Sequence, residues 1–328
     1  MGGLPPLLQF PLHSAGHDRT MRDGVRHATQ PVANVHRSDE PHTQMCIQPG
    51  CSHMSHRAKL LIPALLALTA GVCAQDAHKP QLGIGFLWTR QSQGVVGKLT
   101  SEKDFVDVIL GPGKLDVFQS VKPPVRVACI ARSLERHSVR PFPGIRETIE
   151  TLRNAEIPSE RVIIAYNPER LPGTPTQEMD DLVESARQAR EMTRAYGAPL
   201  LIGPGLREMQ RREELYPELA KHCDIWMIQS QRLQLDLATR KPVEPTEYRA
   251  KVKRIADALR RGNPEIRIFV QVVTTAERRR INLTAEQICA YARAVEDFVD
   301  AVRIYGGSGE LLGQIIDCLR PTQRKSTE

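Results

Sequence analysis

The sequence has few aromatic residues and little net charge for its length. Phe, Trp and Tyr make up 5% of the 328 residues, and the formal net charge is +7. Proteins that bind single-stranded nucleic acid stack bases on aromatic side chains, and those that bind duplexes present a dense basic surface. Because both features are scarce, we predict that nucleic acid is not a partner.

Motifs for metals and common cofactors are also missing. No HxH, HExxH, GxSxG, Walker or GxGxxG pattern follows the apolar segments described below. After residue 74 the histidines are His78, His137 and His222. One group with ligand-like spacing lies further upstream: Cys46, Cys51, His53 and His56. That group precedes the expected cleavage point of a leader, so we predict neither a metal centre nor a cofactor.

Long apolar runs are absent too. The stretch Leu60–Val72 is shorter than the roughly 20 residues that span a bilayer, and it contains Pro63. A basic segment, 55–59, precedes it and Ala74 follows it, which is the layout of a secretory signal peptide cleaved after Ala74. We therefore predict an exported protein, periplasmic or extracellular, with no stable membrane span.

The expected signal peptide divides the chain. Residues 54–74 are the signal, and residues 1–53 are expected to be disordered or to be translated upstream sequence if Met54 is the true start. A lipid on Cys73 is disfavoured, because Val72 precedes it where a small residue is needed. The remainder is predicted to be a linker (75–81), one domain (82–320) and a disordered tail (321–328).

Four cysteines follow the signal: Cys129, Cys223, Cys289 and Cys318. Export permits disulfides. However, Cys289 is expected early in one helix and Cys318 late in the next, which would place them at opposite ends of a helix layer. We predict that all four are small buried apolar residues.

Short apolar segments alternate with longer amphipathic ones from Val125 onward. The strand candidates are Val125–Ala131, 161–167, 199–203, 225–229, 267–273 and 302–305. A helix between successive strands returns the chain, so the strands are expected to be parallel. With Leu82–Trp88 upstream, we predict an α/β fold with seven or eight parallel strands. A (β/α)8 barrel is favoured, and an open doubly wound sheet is the alternative.

The region before Val125 breaks this alternation. Leu115–Phe118 has the composition of a strand, but the link 121–124 is too short for a parallel crossover to Val125. We therefore predict a hairpin between Phe105–Leu110 and Leu115–Phe118.

Polar residues cluster where the predicted strands end, which is where barrel enzymes carry their chemistry. Strand alternation points Gln229, Gln271, Arg303 and Tyr305 into the barrel and Trp226 toward the helices. The alternative for Gln271 and Arg303 is that, with Arg126, they form a buried polar layer in the barrel centre whose members satisfy one another. Three more predicted ligand-binding residues follow strand ends: Trp88, Arg132 and Asn167.

Two carboxylates, Glu169 and Glu310, are placed near strand ends. Glycosidases use a pair of carboxyl groups across the scissile bond, one as acid and one as base or nucleophile. We therefore predict Glu169 and Glu310 as the catalytic pair. The alternative for Glu310 is a helix start, where a negative charge offsets the helix dipole.

A glycine-rich loop, Gly306, Gly307, Ser308 and Gly309, follows the last strand. Its segment 304–308 resembles the phosphate-gripping loop of triosephosphate isomerase, so backbone N–H groups there are predicted to bind an anion. The alternative is that the glycines serve only a tight turn from strand to helix. Arginines close to strand ends would favour an acidic or phosphorylated ligand if they surround one mouth: Arg90, Arg132, Arg170 and Arg232.

At the level of architecture, Leu82–Leu319 resembles the (β/α)8 barrels of the large glycoside-hydrolase superfamily. Many families there end one strand with Asn-Glu and a later strand with Glu, whereas here Pro168 separates Asn167 from Glu169. The resemblance implies a secreted carbohydrate-active hydrolase. The alternatives are a barrel that binds a glycan or another small molecule without chemistry, and a binder of an acidic or phosphorylated compound at 306–309.

Overall fold

The computed structural model describes residues 81–111, 113–136, 142–170, 174–236, 238–276 and 281–320. The ten described strands are β1 Gly83–Leu87, β2 Phe105–Val108, β3 Arg126–Ala131, β4 Val162–Tyr166, β5 Leu200–Ile202, β6 Ile225–Gln229, β7 Arg267–Val273, β8 Thr275–Ala276, β9 Ile281–Asn282 and β10 Ala301–Tyr305. The predicted signal peptide, Cys73, the upstream Cys/His group and the tail lie outside the described residues.

Eight of these strands form a closed barrel, and every neighbouring pair in it is parallel. Chain order is kept around the barrel from β1 to β7, and β10 then closes it against β1. The short strands β8 and β9 form a separate antiparallel pair. The predicted (β/α)8 barrel is confirmed, and the open doubly wound sheet is wrong.

Helices return the chain between the strands. The described α-helices are α1 Val117–Ser120, α2 Ile145–Asn154, α3 Thr176–Asp180, α4 Leu182–Tyr196, α5 Leu206–Met209, α6 Tyr216–Ala220, α7 Pro245–Gly262, α8 Ala285–Val295 and α9 Gly309–Leu319. Their ends follow local chemistry: Gly197 ends α4 with φ 87°, and Thr284 and Gln287 form a capping box at the start of α8. No helix in the described ranges is long and apolar enough to cross a bilayer.

The hairpin predicted before Val125 is wrong. Phe105–Val108 pairs in parallel with both β1 and β3, and Val117–Ser120 is the helix α1 rather than a strand. Residues 109–125 supply the roughly dozen residues that a parallel crossover needs. Because α1 has a single turn, its sequence lacks the helical periodicity that longer crossovers display.

Strand alternation separates two apolar cores. Trp226 packs in the layer between barrel and helices, whereas Ile225 and Met227 belong to the lumen cluster, as predicted. Within the lumen, the rings of Phe105 and Phe269 stack with their centroids 4.9 Å apart. These rings fill the middle of the barrel and separate the C-terminal strand ends from a second cavity at the strand starts.

Gly85 provides the room that the Phe105 ring occupies. A Cβ atom on Gly85 would lie 2.3 Å from that ring. We expect Gly85→Ala to lower the free energy of unfolding by about 1–3 kcal/mol, because the added methyl overpacks the lumen. Urea denaturation measures the change. Gly94→Ala is the control, since a Cβ there meets no atom within 4 Å; equal losses in the two variants would contradict the packing argument.

Candidate functional site

A cavity of about 380 Å³ opens at the C-terminal ends of the barrel strands. Apolar groups line part of it: Leu87, Ile109, Ile130 and Phe142. The polar lining residues are Arg132, Asn167, Glu169, Gln229, Gln231, Gln271, Arg303 and Tyr305. The space below this layer measures only about 20 Å³, so the cavity ends there. We call it the mouth cavity.

Backbone contacts continue the sheet into the loops that carry these side chains. The Asn167 amide donates to the Ala131 carbonyl at 2.8 Å, which extends β4 along β3. The Thr174 hydroxyl donates to the Arg132 carbonyl at 2.7 Å and accepts from the Glu169 amide at 3.1 Å. Thr174 therefore fixes Glu169 beside Arg132.

Four amide side chains form one hydrogen-bonded row across the mouth. Gln229 Nε2 donates to Asn167 Oδ1 at 2.8 Å and to the Gly203 carbonyl at 2.6 Å. Gln231 Nε2 donates to Gln229 Oε1 at 3.2 Å, and Gln271 Nε2 donates to Gln231 Oε1 at 3.0 Å. The row thus presents ordered donors and acceptors to the cavity.

Glu169 lies at one end of the amide row. Its carboxylate pairs with Arg132 Nη1 at 3.2 Å and accepts from Asn167 Nδ2 and Gln229 Nε2 at 3.4 Å each. Both charged side chains keep 18% of their surface exposed. The Arg132 guanidinium also lies 4.2 Å from the centroid of the Phe142 ring. Among the described residues that line the mouth cavity, Glu169 is the only carboxylate.

A buried ion pair lies at the other end. Arg303 pairs with Asp107 and donates to Gln271 Oε1, and the two charged side chains are 10% and 3% exposed. Burial raises the pKa of the Asp107 carboxyl, although Arg303 opposes that effect. Sequence reasoning missed Asp107 because it assigned β2 to a hairpin. The available signal was an aspartate two residues after Phe105, on the same face of an apolar strand.

The predicted ligand-binding residues are mostly brought together. Arg132, Asn167 and the predicted inward group Gln229, Gln271, Arg303 and Tyr305 all line the mouth cavity. The Tyr305 side chain is well exposed, at 47%, and the Arg303 guanidinium lies 5.2 Å from its ring centroid. The alternative of a self-satisfied polar layer also holds in part, since Arg303 pairs with Asp107 and donates to Gln271, whereas Arg126 lines a separate cavity at the strand starts.

Two predicted residues lie elsewhere. Trp88 is buried in the core beneath the helices, so its ring offers no stacking surface in the mouth cavity. Glu310 is exposed in the first turn of α9, where Gln314 Nε2 donates to it at 3.4 Å. Since Glu310 begins a helix several residues beyond β10, it does not line the mouth cavity beside Glu169.

The glycine-rich loop has close packing contacts of its own. Gly306 and Gly307 have φ of 90° and 93°, and a Cβ on Gly306 would lie 2.8 Å from Thr274 Oγ1. Ser308 caps α9 by accepting from the Leu311 amide at 3.2 Å. The backbone therefore accounts for these residues without a ligand, and their binding of an anion stays a prediction.

The predicted arginines do not surround the mouth. Arg132 lines it, but Arg170 pairs with Asp180 and Glu208 outside it. Arg90 and Arg232 are exposed and do not line it. In the described ranges, no group of three or more His, Cys, Asp or Glu is placed to hold a metal ion.

No protein-family model and no curated protein matches the chain. Similar solved structures include a candidate alpha-L-fucosidase from Bacteroides thetaiotaomicron VPI-5482, at 10% identity and TM-score 0.45, covering 83% of this chain and 98% of that one. Bee venom hyaluronidase is 11% identical with TM-score 0.39, covering 73% and 95%. The spore cortex-lytic enzyme SleL of Bacillus megaterium QM B1551 is 8% identical with TM-score 0.47, covering 74% and 73%. The similarity is one of fold.

Proposed function

We propose that the mouth cavity binds a carbohydrate. The observation that carries the proposal is the row of Asn167, Gln229, Gln231 and Gln271, held in place between two ion pairs. Amide side chains offer both donors and acceptors, which suits sugar hydroxyls because each hydroxyl also does both. The Tyr305 ring and the apolar wall supply surface for the C–H faces of a sugar.

The charges favour a neutral carbohydrate over an acidic one. The two cations among the described residues that line the mouth cavity already have carboxylate partners, Arg132 with Glu169 and Arg303 with Asp107. An anionic ligand would have to compete with those carboxylates, whereas uncharged hydroxyls can add to the existing network. A ligand of one to three sugar units matches a cavity of about 380 Å³.

Gln229 provides the direct test. Gln229→Leu removes the amide that connects Gly203, Asn167 and Gln231, so we expect affinity for any glycan identified on an array to fall about 10-fold or more. Isothermal titration calorimetry measures the loss. The matched control is Gln314→Leu, on the exposed face of α9. Unchanged affinity in Gln229→Leu, or equal losses in both variants, would place the ligand elsewhere.

Hydrolysis of the bound carbohydrate is a second candidate. It is favoured by Glu169, a partly exposed carboxylate that lines the mouth cavity. The usual two-carboxylate mechanism needs a partner across the scissile bond. Asp107 is a carboxylate of the barrel lumen that lines the small space below the mouth cavity. Glu310 is the other candidate from the sequence, and turnover by substituted chains decides between them.

Export of the chain is part of the proposed function and is supported by the layout of residues 54–74. An exported barrel would meet glycans outside the cytoplasm. N-terminal sequencing of the protein from its native host tests the proposal, with Gln75 as the expected first residue. A mature chain that still contains residues 54–74 would contradict it.

A further inference from the structure

The last two helices bring two cysteine thiols together. Cys289 lies on α8 and Cys318 on α9; both are free, and the helical turns that carry them are in contact. The sequence-based expectation that they lie at opposite ends of the helix layer is therefore wrong. The reason is that each helix has only eleven residues, so Cys289, the fifth residue of α8, already lies opposite the second half of α9.

Two residues of α8 show how the two helices lie against each other. The Cys289 thiol donates to the Ile315 carbonyl at 3.7 Å, and Ile315 lies one turn before Cys318. Arg293, one turn after Cys289, donates to the Cys318 carbonyl at 2.7 Å and approaches its Sγ at 3.6 Å. One turn of α8 thus lies directly against the last turn of α9.

We propose that Cys289 and Cys318 are a redox modification site, at which an external disulfide compound converts the two thiols into a disulfide that fastens α9 to α8. The geometry supports this because the Cys289 thiol lies against the Ile315 carbonyl, one turn before Cys318, and Arg293 of the same helix reaches Cys318 Sγ, so the two side chains face each other across the contact between α8 and α9. The proposal is independent of the ligand in the mouth cavity.

The exposure of the two thiols sets the order of the steps. Cys318 is partly exposed, whereas Cys289 is buried. The Cys318 thiolate attacks the external disulfide, forms a mixed disulfide and releases one thiolate. Cys289 then loses its proton and attacks Cys318 Sγ, which forms the new S–S bond and expels the second thiolate. Two electrons and two protons pass to the oxidant, which leaves as two thiols.

The second step is expected to be the slow one. Burial and the neighbouring Cys318 thiol raise the pKa of Cys289 to about 12, so its thiolate is scarce. Cys129 and Cys223 are also buried, and no thiol contact is found for them among the described residues. They are therefore expected to stay reduced when the pair reacts.

Peptide mapping of the full chain tests the site. The protein is fully reduced, treated with oxidised glutathione, alkylated and digested with trypsin. Cys289 is then in peptide 281–293 and Cys318 in peptide 304–324, because Pro321 blocks cleavage after Arg320. We expect these peptides to be linked, with a mass two hydrogens below their sum. Recovery of both as separate alkylated or glutathionylated peptides would overturn the proposal.

Thermal unfolding tests whether the disulfide between α8 and α9 stabilises the protein. The disulfide closes the segment 289–318 in the unfolded chain, so the oxidised protein should melt about 5–15 °C above the reduced one. This difference should vanish in Cys289→Ala and in Cys318→Ser, each compared with its own reduced form, and persist in the control Cys223→Ala. Two results would contradict the proposed stabilisation. One is a melting-temperature difference that remains in Cys289→Ala or Cys318→Ser, and the other is equal melting temperatures for the oxidised and reduced natural chain.

Discussion

Replacing Arg303 by methionine is expected to lower the free energy of unfolding by about 3–5 kcal/mol. Methionine keeps much of the side-chain volume but leaves the Asp107 carboxylate buried without its cation. Breaking a buried ion pair by removing one partner has a cost of this size, because the remaining charge cannot return to water. Gln271 also loses the donor to its Oε1 atom. Guanidinium denaturation monitored by circular dichroism measures the change.

Lys98→Met is the matched control for Arg303→Met. Lys98 pairs with Asp317 at 2.6 Å, but the two side chains are 42% and 63% exposed. Solvent screens such a pair, so its loss should change the free energy of unfolding by less than about 1 kcal/mol. If the two variants lose similar stability, the buried pair has no special role in the barrel.

The pH dependence of Arg303→Met follows from the pKa of Asp107. Burial raises that pKa in the folded protein, so the native state retains a proton that the unfolded chain has already released. Stability therefore falls as pH rises from about 4, the ordinary value for aspartate, through the native pKa. Without the Arg303 charge the native pKa is higher still, and the falling window extends further toward neutral pH. Adding Asp107→Asn should remove this slope.

Glu169→Gln and Glu310→Gln form the second decisive comparison. The same isosteric change is made at a carboxylate that lines the mouth cavity and at an exposed helix start. In Glu169→Gln we expect about 10–100-fold weaker carbohydrate binding, because Arg132 loses its ion partner and the amide row loses an acceptor. Glu310→Gln should bind like the natural chain. Calorimetry with the same glycan measures both affinities.

The same two variants address hydrolysis. If the barrel cleaves its ligand, Glu169→Gln should lower turnover by about 10²–10⁴-fold, which is typical for loss of an acid or base group. Glu310→Gln should retain turnover, because Glu310 does not line the mouth cavity. Turnover lost in Glu310→Gln and kept in Glu169→Gln would reverse the assignment. Binding that persists with no turnover in any chain supports the binding function.

Most of the barrel was predictable because its strands are buried on both faces. Segments such as 267–273 are short, apolar and rich in branched residues, and each is separated from the next by a helix with clear end signals. The parallel pairing of the second strand was not predictable, because Phe105–Val108 contains Asp107 and is followed by a single-turn helix. That region displays neither a continuous apolar run nor a helical period.

The candidate site was predictable where strand alternation decides direction. Gln229, Gln271 and Arg303 belong to strands, so their inward orientation followed from the pleat. Gln231 lies in a single 3₁₀ turn after β6, and its place in the amide row depends on contacts that no periodicity predicts. Trp88 shows the opposite error, because alternation from Ile84 and Phe86, which face the helices, places its ring on their side rather than in the cavity.

The stacked rings of Phe105 and Phe269 also determine from which end of the barrel a ligand reaches the mouth cavity. Among the described residues, the two rings close the lumen below the mouth cavity, so a ligand enters that cavity from the C-terminal strand ends. A ligand that enters the mouth cavity must leave by the same opening. A product of cleavage would therefore prevent the next substrate from binding until the product dissociates. Any catalytic cycle here would therefore slow as its own products accumulate.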